Sequence, residues 1–357
     1  HTLWDRLLLS GVSAEVWMLP EVTADKAART AGAAYDSDPT TRRGRVAVVL
    51  GAGNINAIAP LDCYQKLFVE HATVILKLNP VNDYLAPLLT QALAPLIERN
   101  ALRIVAGDAG VGEYLTTHDQ VDEIHITGSE VTHDAIVWGT GEEGERNKRA
   151  GTPRNPRPIT SELGAVCPTI VVPGPWTEAD LGFQAEQIAT QKLHNNGHNC
   201  VACQVLVMPD GWDHSADLLS RVEEVIGSAP DRGMYYPGTG ERLDSFARTD
   251  GAARELASAD AQTRRIVSRL SAVSPVHTTE VFGPALGVIE LPWDDNESYL
   301  RGAIAHCNEN LRGTLGANVL IHPETITELG DAFEQLLADL RYGCIAVNGW
   351  SGMGFLL

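Results

Sequence analysis

Two short segments of this 357-residue chain hold a thiol and a carboxylate in contexts that chemistry can use. Cys200 lies in His194-Asn195-Asn196-Gly197-His198-Asn199-Cys200-Val201-Ala202-Cys203, a polar stretch broken by glycine. Glu162 lies upstream in Ile159-Thr160-Ser161-Glu162-Leu163-Gly164. A thiolate attacks a carbonyl carbon and forms a covalent intermediate, and a carboxylate then activates the water that releases it. Each segment alone is a weak signal. A lone cysteine is most often a small buried apolar residue, and Glu162 could be a strand-end carboxylate in a salt bridge. Cys200 and Cys203 also form a C-x-x-C, with His194 and His198 four apart, so a metal site or redox dithiol is weighed. No second ligand cluster supports zinc; no metal is expected, and Cys203 reads as structural.

The elements that must position these groups follow an α/β rhythm. Val46–Leu50, Thr73–Leu76, Arg103–Ala106 and Glu123–Ile126 are short β-branched runs that read as buried strands. Residues 83–99 read as a helix with Leu85, Leu88, Leu89, Ala92 and Leu96 on one face, kinked or shortened by Pro95. Gly139–Pro158 breaks the composition with Gly, Pro and closely spaced charges, and reads as a surface excursion with a disordered tip. A second unit starts near Pro168, with Thr169–Val172 as a strand. Thr177 and Asp180 form a capping box for a helix reaching about His194, and Asn195-Asn196-Gly197 stops it. Cys200 therefore falls in a loop before the strand Gln204–Met208. The alternation implies mostly parallel sheets covered by helices.

Bulk composition excludes several classes. Hydrophobic residues make up 44% and charged residues 20%, as in ordinary soluble globular proteins. A formal charge of -19 argues against sequence-independent nucleic-acid binding and against anionic membranes. No apolar run approaches a membrane span. The six cysteines are dispersed, which favours a reducing cytoplasm over a disulfide scaffold. The chain begins with His1, which suggests a processed, tagged or incompletely represented sequence.

At this point the residues resemble the aldehyde dehydrogenase superfamily. Ile126-Thr127-Gly128-Ser129 is similar to its TGS turn, Glu162-Leu163-Gly164 to its ELGG motif, and Asn195–Cys200 to its NxGQxC segment. Glu280-Val281-Phe282-Gly283-Pro284 is similar to EExFGP, and Val347-Asn348 matches a late VN pair. The motifs keep family order across roughly residues 45–350. Departures are His198 for the glutamine, Ala165 for the second glycine, Gly53 for a tryptophan, and shortness at both ends.

The resemblance implies two doubly wound α/β lobes: a Rossmann-like cofactor domain over 1–163 and a catalytic domain over 164–357. It implies NAD(P)-dependent oxidation of an aldehyde to a carboxylic acid. Cys200 is then the nucleophile, Glu162 the water-activating base and Asn54 an oxyanion-hole donor. Lys77 would contact the adenosine ribose and Gly128 and Ser129 the pyrophosphate. Glu280 would position the nicotinamide ribose, with Phe282 nearby. Pro80 stands where a ribose-binding glutamate is usual, so NADP is expected as readily as NAD. The runner-up readings are release of the thioester by coenzyme A, or acyl-CoA reduction, and a catalytically impaired nucleotide-binding homologue. A homo-oligomer is left open.

Overall fold

The computed structural model describes residues 3–8, 10–257 and 263–356; His1 and Leu357, the outer ends of the two expected domains, lie outside them. Among the described residues, twelve strands form two sheets. The first contains β1 (Val46–Leu50), β2 (Thr73–Lys77), β3 (Leu102–Val105), β4 (Glu123–Gly128) and β5 (Ile159–Leu163) in the order β3-β2-β1-β4-β5, all parallel. Its pleat sends Ala47 and Val49 into one core and Val48 and Leu50 into the other. Strands buried on both faces explain the uninterrupted apolar runs. β3 and β5 are the edges, and the central residues of β5 are exposed.

The second sheet runs β12-β11-β6-β7-β10-β9-β8. It comprises β6 (Cys167–Val171), β7 (Cys203–Pro209), β8 (Ala253–Leu256), β9 (Arg265–Arg269), β10 (Ala285–Leu291), β11 (Gly316–Leu320) and β12 (Cys344–Val347). Among the described residues, only the β8–β9 pairing is antiparallel. β6, β7 and β11 are buried throughout. Ile170 and Val205 face one core, under helices Asn296–Asn310 and Asp331–Asp339. Val171 and Leu206 face the other, under helices Glu178–Leu193 and Ser215–Ser228.

Two expectations need adjustment. The helix expected over residues 83–99 is three pieces: a 3-10 turn Pro80–Leu85 and helices Ala86–Ala92 and Ala94–Glu98. Pro95 lacks the N–H that would continue the ladder, which breaks the run at Leu93. The polar excursion holds a ten-residue helix, Gly141–Ala150, ended by Gly151 in the left-handed region at φ 64°. Its Lys148 pairs with Glu130 and Asp134 on the preceding helix, Glu130–Val137. No helix among the described residues is long and apolar enough to cross a membrane.

β5 ends at Leu163 and β6 begins at Cys167. The carboxyl edge of the first sheet therefore leads directly into the amino edge of the second. The motif residues gather at that junction.

Candidate active site

The helix Glu178–Leu193 starts on a complete Thr177–Asp180 capping box and stops at three left-handed residues, with φ 53° at Asn195, 54° at Asn196 and 76° at Gly197. The stop turns the chain back so that Cys200 stands at the amino end of β7. A Cβ on Gly197 would collide with the Gly283 carbonyl, so only glycine lets this loop seat on Gly283-Pro284. His198 is fully buried, with Nε2 3.0 Å from Thr239 Oγ1 and Nδ1 3.2 Å from the Asn195 carbonyl. The rings of Tyr235, Tyr236 and Phe282 surround it. Burial drives its pKa down to about 4, so the imidazole is neutral. His198, which stands where the resembled motif has glutamine, thus fixes the loop as a neutral ring.

Cys200 is half-buried, with Sγ 3.8 Å from Asn199 Oδ1. Asn199 Oδ1 accepts from the Val201 N–H at 3.0 Å, and its amide nitrogen lies 3.0 Å from His194 Nδ1. Trp350 covers the loop, donating its indole N–H to the Val201 carbonyl at 3.0 Å. Burial pushes the Cys200 thiol up to about 11; the Glu280 and Glu162 carboxylates add to this, and the backbone N–H groups of Cys200 and Val201 oppose it. The thiol is therefore protonated at neutral pH. Reaction requires a base nearby, and two carboxylates act on the sulfur.

They differ in setting. Glu162 lies exposed on the edge strand β5 and makes no hydrogen bond or ion pair among the described residues. Glu280 is packed against Gly164, where any Cβ would strike its carboxylate, which explains the glycine two residues after Glu162. Burial raises Glu280 to about 7, with Lys192 and Arg242 pulling the other way.

Asn54 follows β1 and crosses to the second unit. Its side-chain amide donates to the His198 carbonyl at 3.2 Å, and its own carbonyl accepts from Asn195 at 2.9 Å and from the Tyr235 hydroxyl at 3.0 Å. An amide carries two N–H donors, so one remains for an oxyanion.

Lys77, Gly128 and Ser129 lie on the carboxyl edge of the first sheet, where nucleotides bind in open α/β folds. Lys77 is buried at the end of β2, and desolvation lowers its pKa against the upward pull of Asp83 and Asp108. Pro80 starts the 3-10 turn and supplies no carboxylate. Asp83, on that same turn, has one buried oxygen without a hydrogen-bond partner. Gly128 ends β4, and Ser129 caps the next helix by accepting from the Thr132 N–H at 3.2 Å. The Lys77 ammonium and the N–H groups of the strand-to-helix turn as donors, with the free Asp83 carboxylate oxygen as acceptor, fit a nicotinamide dinucleotide. Phe282, at φ 47°, packs on His198 and Tyr236. Asn348 secures the end of β11 through paired bonds with Ile321.

Two residues escaped the sequence reading. Lys192 is buried beside Glu280, Cys203 and Cys167, and burial lowers it to about 8. Its signal was a lysine on the apolar stripe Leu181, Ala185, Ile188, Lys192. Arg242 donates Nε to the Val281 carbonyl at 2.7 Å and Nη2 to the Phe282 carbonyl at 3.4 Å, fixing the segment that carries Glu280. Nothing local distinguished it from a surface arginine.

Residues 67–234 match the aldehyde dehydrogenase family. A geranial dehydrogenase of Castellaniella defragrans is 23% identical over 270 residues, 69% of this chain and 49% of the relative. A betaine aldehyde dehydrogenase of Vibrio vulnificus is 28% identical over 148 residues, 41% of this chain and 26% of the relative. The chain thus spans about half or less of these relatives' length. Among solved structures, an NAD-dependent aldehyde dehydrogenase of Sinorhizobium meliloti aligns at TM-score 0.64 and 20% identity, covering 86% of this chain and 59% of that one. An NADP-dependent glyceraldehyde-3-phosphate dehydrogenase of Bacillus halodurans, complexed with NADP, aligns at 0.66 and 19%, covering 86% and 61%.

Proposed function

We propose that this chain is a member of the aldehyde dehydrogenase superfamily, whose model it matches over residues 67–234, and that it oxidises an aldehyde to a carboxylic acid with NAD or NADP. The observation that carries the reading is a half-buried thiol, Cys200, on which two carboxylates act and over whose loop Asn54 is tied. In this reading residues 1–163 form the cofactor lobe and 164–357 the catalytic lobe.

Cys200 loses its proton to a neighbouring carboxylate and adds to the aldehyde carbon. The resulting oxyanion is held by the free Asn54 N–H and the Cys200 backbone N–H. A bound nicotinamide dinucleotide supplies the hydride acceptor. When it is bound, Lys77 and Asp83 would hold its ribose, and the Gly128–Ser129 turn would take its phosphates. Glu162, open to solvent, activates the water that hydrolyses the thioester. A second reading gives that step to Glu280, because its raised pKa of about 7 matches a base working near neutrality.

The test is cofactor reduction with short aliphatic, long aliphatic and aromatic aldehydes, with and without coenzyme A. Turnover that needs no coenzyme A is the expected result. Strict dependence on coenzyme A makes the acylating chemistry correct instead, and no turnover of any aldehyde sinks the proposal.

A further inference from the structure

A cleft of about 650 Å³ beside the nucleophile loop is lined by twelve residues that include Asn54, Asn195, His194 and Arg232 and no carboxylate. In a chain with 46 acidic residues and a net charge of -19, that leaves one positive charge uncompensated. Arg232 makes no side-chain hydrogen bond or ion pair among the described residues, whereas the nearby Arg242, Arg264 and Arg265 are all engaged.

The backbone beneath Arg232 is firmly held. Its N–H donates to Thr263 Oγ1 at 3.2 Å, and its carbonyl accepts from Thr263 at 2.7 Å and from the Asn196 side chain at 3.0 Å. The buried Arg265 pins the two preceding residues, through the Pro230 carbonyl at 3.0 Å and the Asp231 carboxylate at 2.9 Å. Asp231 therefore directs a carboxylate to Arg265. The guanidinium of Arg232 acts on His194, whose pKa is lowered by burial first and by Arg232 second. His194 touches Asn199, the neighbour of Cys200. A line of polar groups thus runs from an unpaired cation to the nucleophile.

We infer that the cleft receives an aldehyde whose far end is an anion, a carboxylate or a phosphate, with Arg232 as the residue that selects it. This rests on the proposed oxidation, because the reacting aldehyde must reach Cys200. A planar guanidinium binds either oxyanion through paired N–H donors, and the neutral His194 and the asparagine amides bind it without adding charge repulsion.

The experiment compares aldehydes of matched length ending in carboxylate, phosphate, methyl ester or methyl, using the whole chain and its Arg232→Met and Arg232→Lys variants. The unmodified chain should favour one or both anionic substrates in kcat/KM by about 10- to 100-fold, the worth of one charge-assisted interaction. Arg232→Met should raise KM for those substrates by a similar factor, leave kcat and the neutral substrates within about twofold, and be partly rescued by lysine. Which anion suffers more identifies the source. Equal treatment of neutral and anionic aldehydes, or equal damage to both in Arg232→Met, overturns the inference. Binding of succinate and phosphate to Cys200→Ala, read by calorimetry, separates the two ideas. Arg232-dependent binding, together with an unmodified chain that oxidises no aldehyde, upholds the anion site and defeats the oxidation. Turnover of neutral aldehydes without anion binding does the reverse.

Discussion

The two sheets meet at the site with opposite edges, and the edges are built on opposite principles. The first offers the carboxyl ends of β1, β2, β4 and β5, where Asn54, Lys77, Gly128 and Glu162 follow or close strands. That edge is open: Gly128 and Glu162 are exposed. The second offers the amino ends of β6, β7 and β10, preceded by Cys200 and Glu280 in loops that bury His198, Lys192 and Cys203. An open edge leaves donors and acceptors for an exchangeable ligand. A closed edge removes water, shifts pKa values and holds reacting groups still. The contrast between Glu162 and Glu280 is the same contrast reduced to one side chain on each edge.

The sharpest way to break this division is at the thiol. Cys200→Ala should lower turnover by at least about 10⁴-fold, as for loss of a covalent nucleophile, while cofactor affinity changes by less than about twofold. Cys203, buried in β7 with its thiol 3.8 Å from the Val205 carbonyl, is the control; Cys203→Ala should stay active. Activity in Cys200→Ala, measured as reduced cofactor, removes the closed edge from the chemistry.

Next come the carboxylates. Glu162→Gln should form acyl-enzyme, release one equivalent of reduced cofactor and then stall, with steady-state turnover down about 10²- to 10³-fold. Intact mass should show the trapped acyl group. If Glu280→Gln traps it instead, and Glu162→Gln turns over normally, the base sits on the closed edge.

Glu280 also makes a prediction about stability against pH. Its folded value of about 7 lies above the ordinary 4.5, so the folded chain holds this proton more tightly than the unfolded chain. The resulting stabilisation is fully present below about 4.5 and is lost as pH rises through about 7. Relative to Glu280→Gln, the unmodified protein should lose at most about 3 kcal/mol across that window and change little above it. Paired thermal melts from pH 4.5 to 8 measure the difference; a constant offset shows that Glu280 is not buried as a carboxylate.

What the sequence disclosed follows the same division. The strands, the Thr177–Asp180 capping box and the Asn195-Asn196-Gly197 stop were legible because short-range chemistry fixes them. Cys200 and Glu162 stand out through their motifs, and the structure adds Glu280 as a second carboxylate acting on the same thiol; their roles remain the reading proposed above. The helix Gly141–Ala150 was not, since a polar segment carrying Gly139, Gly141, Gly144 and Gly151 has no apolar stripe, and ion pairs to Glu130 and Asp134 help hold it. Lys192 against Glu280, and Glu280 against Gly164, are meetings between distant segments that no local pattern records.

The smallest expected effect concerns the open edge, where the structure changes an inference drawn from one position. Pro80 removes the side chain that would accept ribose hydroxyls, which alone predicts easy use of NADP. Asp83 nevertheless brings a carboxylate to Lys77 from the same 3-10 turn, with one oxygen buried and unpartnered, and Asp108 adds a second charge. A free acceptor stabilises a ribose hydroxyl, while a nearby negative charge repels a 2′-phosphate. The edge should therefore favour NAD modestly while still admitting NADP beside Lys77. Asp83→Asn keeps the shape, withdraws the charge and should improve NADP affinity relative to NAD by about 3- to 10-fold, the order of one partly exposed charge interaction. Asp108 caps helix Ala109–Thr117 through bonds to Gly110 and Val111, so its replacement would disturb folding and makes a poorer probe. Calorimetric titration of both nucleotides into the two proteins decides the point. An unchanged affinity ratio would mean that Asp83 does not reach the ribose and that discrimination resides elsewhere on the edge.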